Sequence, residues 1–303
     1  MREKIIRVWR KIQQSKSFEP VVQFVMWFID TEVFNVFIDF LERNTNREKL
    51  QKSLDFFEVN QDRIKNNISI LEDDKSRNVY INTIKYRCSL KRKYLSCTSP
   101  GNEKYFDSQI IEFREKEKFM DCGAFVGDTA SLLEGKWTNW NNRDASLQIS
   151  CWEPDEYNII KLKKTLSDIA GRHTNFSYDI VKKAVWNKDT ELLFNGGVDY
   201  ASKITDEGNT RVKATTIDEV AKTWGGMVTF IKMDVEGAEP EALEGAKETI
   251  INNHPTMAIC IYHTDEQMIS LIEYIHKNYP FYKLYVRHYA RAWTETVLYA
   301  VER

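Results

Sequence analysis

Phe119-Met120-Asp121-Cys122-Gly123-Ala124-Phe125-Val126-Gly127-Asp128-Thr129 runs from an apolar strand through a glycine-bearing turn into the start of a helix. Gly123 and Gly127 allow the backbone to approach a ligand, and the helix amides beyond them favour a carboxylate. Asp121 is placed to take a cationic amine, Asp128 adds a second negative charge, and Thr129 offers a hydroxyl at the helix start. A pyrophosphate would be repelled by the two aspartates. A zwitterionic amino acid matches them.

Outward from this turn, strand-like and helical runs alternate. Strands are expected over Lys118–Cys122, Leu147–Trp152, Thr174–Val181, Met227–Met233, Thr256–Tyr262, Tyr282–Val286 and Thr296–Val301. Ile159, Leu162, Leu166 and Ile169 share one helical face, as do Met268, Leu271, Ile272 and Ile275. Thr264 with Gln267 forms a capping box at the start of the second of these helices, and Pro240 suits a first helical turn. The alternation predicts an α/β fold with a parallel, doubly wound sheet. About ten residues join Val286 to Thr296, too few for a crossover helix, so the last two strands should form an antiparallel hairpin. That hairpin is the arrangement of the class I methyltransferases; a dinucleotide-binding sheet would stay parallel throughout.

Upstream, residues 1–100 read as a helical extension and 101–303 as the α/β domain, with Ser99-Pro100-Gly101-Asn102 stopping both helix and strand between them. Ile5, Val8, Trp9 and Ile12 face one way in a basic amphipathic helix. Packing against its own domain or a second subunit is favoured over lying on a membrane surface. Phe24, Trp27, Phe28, Phe34, Phe37 and Phe40 read as core or as a homodimer interface. Residues 21–40 have the length of a bilayer span, but Asp30, Glu32 and Asp39 would each cost about 2–3 kcal/mol there, so no transmembrane segment is expected.

Further chemistry gathers where the strands end, the rim at which open α/β sheets bind ligands. Glu153 follows the second strand, before Pro154, and is placed to accept both ribose hydroxyls of a nucleoside. A nucleoside joined to an amino acid describes S-adenosylmethionine. After the fourth strand, Asp234, Glu236 and Glu239 can orient a hydroxyl, act as base or hold a divalent cation; whether the chain uses a metal stays open. His263 is the leading candidate base for an acceptor hydroxyl and Asp234 the second. His288 ends the sixth strand, where Arg287 could fix an acceptor group. Trp186, after the third strand, and Tyr105 are further cofactor candidates.

Composition narrows the field. A chain of 303 residues with 42% hydrophobic residues can bury a full core, and its 43 basic residues nearly balance 45 acidic ones. No global field would recruit nucleic acid. The five cysteines, Cys88, Cys97, Cys122, Cys151 and Cys260, show no metal-ligand spacing and read as reduced thiols of a cytoplasmic protein. The first residues alternate apolar and basic side chains, unlike a secretory signal. The alternative location is peripheral, on the inner face of the membrane.

Asp121-Cys122-Gly123-Ala124-Phe125-Val126-Gly127-Asp128, Trp152-Glu153-Pro154, Thr216-Ile217-Asp218-Glu219, Lys232-Met233-Asp234-Val235-Glu236-Gly237-Ala238-Glu239 and Leu243-Glu244-Gly245-Ala246 together resemble the FkbM-type methyltransferases, which O-methylate sugars and natural-product hydroxyls. Leu71-Glu72-Asp73-Asp74-Lys75-Ser76, Lys104-Tyr105-Phe106-Asp107, Ile261-Tyr262-His263 and Val286-Arg287-His288-Tyr289 resemble a bacterial subgroup often encoded near surface-glycan genes. The resemblance implies a class I, Rossmann-like fold and in-line methyl transfer from S-adenosylmethionine to a sugar or glycan hydroxyl. Many family members carry a glutamate near the end of strand five, where this chain has Tyr262-His263. The rivals are a non-catalytic scaffold subunit of the same fold and a nicotinamide-dependent oxidoreductase. The latter is disfavoured by the absent third glycine and by Asp128.

Overall fold

The structure, a computed structural model, describes residues 46–96, 98–195, 203–204, 208 and 210–302. The amphipathic helix at Ile5–Ile12, the aromatic stretch from Phe24 to Phe40, the rejected span at 21–40 and Cys97 lie outside the described residues. Among the described residues no helix is long and apolar enough to cross a membrane.

Seven strands form the main sheet: β1 (Lys116–Cys122), β2 (Ser146–Trp152), β3 (Phe176–Val181), β8 (Phe230–Met233), β9 (Thr256–Cys260), β10 (Tyr282–His288) and β11 (Thr296–Glu302). Their order is β10-β11-β9-β8-β1-β2-β3. β1 pairs in parallel with both β2 and β8, which puts the turn after Cys122 at the middle of the sheet. β11 inserts between β9 and β10 and runs antiparallel to both. The expected closing hairpin is therefore present.

The central strands are near-continuously apolar because both faces are covered. Along β9, Met257 and Ile259 enter one core while Ala258 and Cys260 enter the other. The first core holds α6 (Ile217–Thr223), α7 (Glu239–Glu244), α8 (Lys247–Asn253), α9 (Gln267–Asn278) and side chains of α1 (Arg47–Val59) and α3 (Asp74–Arg87). The second holds α4 (Asp128–Lys136), α5 (Glu156–Arg172) and the segment 105–113. α2 (Gln61–Ile70) leads into Leu71, which bridges Leu284 at the sheet edge.

Local signals account for the helix starts. Asp73, Asp155 and Thr216 cap α3, α5 and α6 with their side chains. Thr264 accepts the Gln267 amide at 3.0 Å, as a capping box requires, but the Gln267 side chain turns instead to the Gly237 carbonyl at 2.7 Å. Pro240 lies in the first turn of α7. Cys122, Cys151 and Cys260 are buried free thiols, and Cys88 is partly buried.

A second sheet, unforeseen in the sequence, follows β3. It joins β4 (Ala184–Val185), β5 (Thr190–Asn195), β6 (Lys203–Ile204) and β7 (Thr210–Thr215) in the order β4-β7-β5-β6. β5 buries only Phe194 and β7 alternates exposed and buried side chains, so neither carries the long apolar run of a central strand.

Candidate active site

A cavity of about 760 Å³ opens over the carboxyl ends of β1, β2, β8 and β9. Gly123, at φ +87°, makes the turn; a Cβ there would lie 2.0 Å from the Asp234 carbonyl oxygen. Only glycine lets β1 and β8 leave the sheet this close together. Gly123→Ala is expected to abolish S-adenosylhomocysteine binding and lower the melting temperature, as calorimetry and a thermal melt would report. Gly127, at φ +86°, sets up α4 against Thr165 and does not line the cavity.

Asp128, Thr129, Phe125, Glu153 and Asn158 line one half. Glu153 is 6% exposed and accepts the Asp155 amide at 2.8 Å. Burial pushes its carboxyl up to about 7, although hydrogen bonds from Asp155, Asn158 and Phe125 pull the other way. Lys183, Ala184 and Val185 complete this half.

Asp121 lies beneath the cavity rather than in it. It is fully buried and paired with Lys232 at 3.0 Å, and Lys232 also donates to the Gly123 carbonyl at 2.6 Å. Burial disfavours the ammonium, but the charges of Asp121, Asp234 and Asp128 hold Lys232 well above the ordinary lysine range. A ligand amine would find Asp128 at the cavity wall and Asp121 already matched. Lys232, which does line the cavity, was legible only as a lysine inside the apolar run Phe230-Ile231-Lys232-Met233.

The other half is built around Asp234. Its carboxylate accepts Tyr105 Oη at 2.6 Å and Tyr262 Oη at 3.0 Å, and Lys104 Nζ stands 3.8 Å away. Burial would raise its pKa, but His263, Lys232 and Lys104 hold it far below the carboxylate range. His263 has Asp234 at 3.4 Å and Glu236 at 3.7 Å from Nε2, and Glu239 at 3.1 Å from Nδ1. These are ion-pair distances without aligned hydrogen bonds. Burial would lower the imidazole pKa, but Asp234 and Glu239 outweigh it and push it up to about 10. These two carboxylates thus favour the imidazolium form of His263, in which the ring has no lone pair for the expected role as base. Glu236 is the carboxyl here that burial raises.

Asp234, Glu236 and His263 bring three potential ligand atoms within 4.8 Å of one another. They could hold a divalent cation only in exchange for the imidazolium proton. Glu239 is not a fourth ligand. It is fully buried and occupied by the Val235 amide at 2.9 Å, by Gln267 and by His263.

Three further expected site residues do not line the cavity. β11 separates β10 from β9, so Arg287 and His288 sit two strands away from the Asp234 cluster. Arg287 is buried and binds Asp73 Oδ2 at 2.7 Å, Ser76 Oγ at 2.7 Å and Asp107 at 3.4 Å, tying α3 and the 104–107 segment to the sheet edge. His288 contacts Thr296 Oγ1 at 2.9 Å, and burial pushes its pKa down to about 4. Trp186 bonds to the Thr215 carbonyl and packs its own carbonyl where a Gly245 Cβ would stand. In their place, Trp293, Thr294 and Glu295 reach the cavity from the hairpin loop.

Four cavity residues, Tyr105, Phe125, Glu236 and Glu295, have φ between 47° and 72°. Such left-handed backbone at non-glycine positions gathers where surrounding structure enforces a functional geometry.

A parallel sheet with this antiparallel insertion, carrying a cavity at its carboxyl rim, defines a class I methyltransferase fold. Residues 121–289 match the methyltransferase FkbM domain, and the chain belongs to that family. It is similar in structure to the methyltransferase FkbM from Methylobacillus flagellatus, with a TM-score of 0.67 and 23% identity over 82% of this chain and 60% of that one. This chain thus spans less than two thirds of that protein. An rRNA methylase from Streptococcus thermophilus matches with a TM-score of 0.39 at 12% identity, covering 62% of this chain and 87% of that one. SMU.1697c from Streptococcus mutans, solved in complex with SAH, matches with a TM-score of 0.38 at 9% identity, covering 64% and 92%. No curated protein matches the chain.

Proposed function

We propose that the chain is an S-adenosylmethionine-dependent O-methyltransferase acting on a hydroxyl of a sugar or glycan, in the cytoplasm. The observation that carries the reading is the placement of Asp128 and Glu153 in the half of the cavity beside the Gly123 turn, one carboxyl for an amine and one for a ribose, while Lys104, Lys232 and His263 sit with Asp234, Glu236 and Glu295 in the other half. A volume of about 760 Å³ also has room for a nucleoside-sized donor beside an acceptor.

S-adenosylmethionine, when bound, supplies the methyl group that passes from sulfur to the acceptor oxygen. Glu153 accepts the two ribose hydroxyls, and Asp128 pairs with the amine. Glu236 takes the proton that the acceptor hydroxyl loses, while the His263 imidazolium and Lys104 keep Asp234 ionised so that Tyr105 and Tyr262 stay fixed. Trp293, 39% exposed at the rim, offers an aromatic surface to a sugar ring. We assign the extension, residues 1–100, to closing the acceptor side, with homodimer formation or peripheral membrane contact as the remaining roles.

Titration of the purified chain with S-adenosylhomocysteine, followed by methyl transfer onto a panel of nucleotide sugars and glycans, tests the reading. Micromolar binding and transfer to oxygen are expected; absence of binding would leave the scaffold reading in its place. Glu236→Gln should lower kcat about 100-fold with little change in S-adenosylhomocysteine affinity, and should remove the acid limb of the kcat–pH profile. Wild-type kcat in that variant would refute its role as base.

A further inference from the structure

β9 and β11 are paired as far as Cys260 and Val297, and the Ile261 amide adds one bond to the Thr296 carbonyl at 3.0 Å. There the ladder stops. The two chains go on to carry the acceptor half of the cavity, with Tyr262 and His263 on one side and Trp293, Thr294 and Glu295 on the other. The Arg87 guanidinium joins these two segments. Its Nη2 donates to the Tyr262 carbonyl and, at 3.3 Å, to the Trp293 carbonyl, while Nη1 donates to Asp265 Oδ1 at 2.5 Å.

Arg87 is the last residue of α3, in the helical extension, and its side chain is only 5% exposed. Asp265 lies in the turn before α9, and its other oxygen accepts Ser53 Oγ of α1 at 2.5 Å. From the same helix, Lys49 places Nζ 3.0 Å from the centroid of the Trp293 ring. The extension therefore grips Trp293 by its backbone and by its ring.

Burying a guanidinium is costly unless its donors are used. The pair with Asp265 would by itself tether α3 to the domain. The bonds to the two carbonyls do something further, because each fixes the backbone of a residue whose side chain faces the acceptor. Tyr262 donates its hydroxyl to Asp234 at 3.0 Å, and Trp293 stands at the rim. A misplacement of about 1 Å at such positions is enough to slow a reaction. Asp128 and Glu153, the donor half, lie beyond the ends of β1 and β2, outside this set of bonds.

We propose that Arg87 is a positioning residue for the acceptor: its planar fork sets Tyr262 against Asp234 and Trp293 across the rim. A side chain of the extension thus governs acceptor binding without touching the acceptor. The proposal rests on the methyl-transfer reading for what binds there; the tie between Tyr262 and Trp293 does not.

Arg87→Lys is the test, since it keeps a cation beside Asp265 but has no planar fork to span two carbonyls. Trp293 emission is isolated by subtracting a Trp293→Phe counterpart of each protein. In the lysine protein it should shift to longer wavelength and be quenched more readily by acrylamide. The KM for the best acceptor of the nucleotide-sugar and glycan panel should rise about tenfold, with kcat within about threefold of wild type. S-adenosylhomocysteine affinity should stay equal. A lysine protein that matches wild type in Trp293 emission and in KM would overturn the proposal. So would a loss of S-adenosylhomocysteine affinity as large as the change in KM, the mark of a general loss of structure. Should the lysine protein not fold, Arg87→Met/Asp265→Asn, which removes the guanidinium and its counter-charge together, repeats the comparison. Failure of both to fold would make Arg87 a stability residue and overturn the proposal likewise. Absence of S-adenosylhomocysteine binding in the wild type would instead fell the methyl-transfer reading and leave Trp293 emission to decide on Arg87.

Discussion

Lys232→Met should destabilise the protein by about 3–5 kcal/mol, because it strands the fully buried Asp121 without a counter-charge. The ammonium also donates to the Gly123 and Cys122 carbonyls at 2.6 and 3.3 Å, and both would lose that donor. For a domain of this size the melting temperature should fall by roughly 6–20 °C. The loss should depend on pH in a particular direction. Without Lys232, burial holds the folded-state pKa of Asp121 above its unfolded value. The stability that this protonated form provides is complete below the unfolded pKa and disappears as pH rises through the folded one. The variant should therefore melt closer to wild type in acid than at neutral pH. Asp121→Asn added to Lys232→Met should recover much of the loss, since it removes the stranded charge. A Lys232→Met protein melting within about 2 °C of wild type would refute the pairing argument.

Glu153→Gln should weaken S-adenosylhomocysteine by about 10- to 100-fold, the worth of exchanging a charge-assisted pair of hydrogen bonds for a neutral contact. In the wild type burial holds the carboxyl near 7, and only the carboxylate can accept from both ribose hydroxyls. Affinity should thus fall about tenfold for each pH unit below that point, while the variant responds little. Stability should move the other way. The raised pKa of Glu153 contributes stability that is complete below about 4.5 and lost as pH rises through about 7. At pH 8 the glutamine variant should accordingly melt higher than wild type while binding the ligand worse. A variant losing both would mark Glu153 as a packing residue.

Much of this site was legible from local chemistry. Gly123, Asp128, Thr129 and Glu153 lie within short motifs that state their own conformation, and the β/α rhythm fixes which strand ends meet. The lateral order of strands is less legible. Arg287 and His288 do end a strand, but the insertion of β11 carries that strand to the sheet edge, where Arg287 binds Asp73 and Asp107 instead of a ligand. Charge state is harder still. The position of His263 followed from its strand, whereas its protonation depends on Asp234 and Glu239, distant in sequence and close only after folding. Asp121 reads as a ligand anchor until the lysine opposite it is known. The second sheet is not legible in the sequence because its short strands bury too little to show a period.

The left-handed backbone at Tyr105, Phe125, Glu236 and Glu295 bears on how this protein would respond to engineering. Each costs on the order of 1–3 kcal/mol that glycine would not incur. A screen for heat resistance alone would therefore be drawn to the three of these outside the buried core, Phe125, Glu236 and Glu295, and each success there would strip the cavity of an aromatic or carboxylate side chain. Selection for durability and selection for turnover would pull the same few residues in opposite directions.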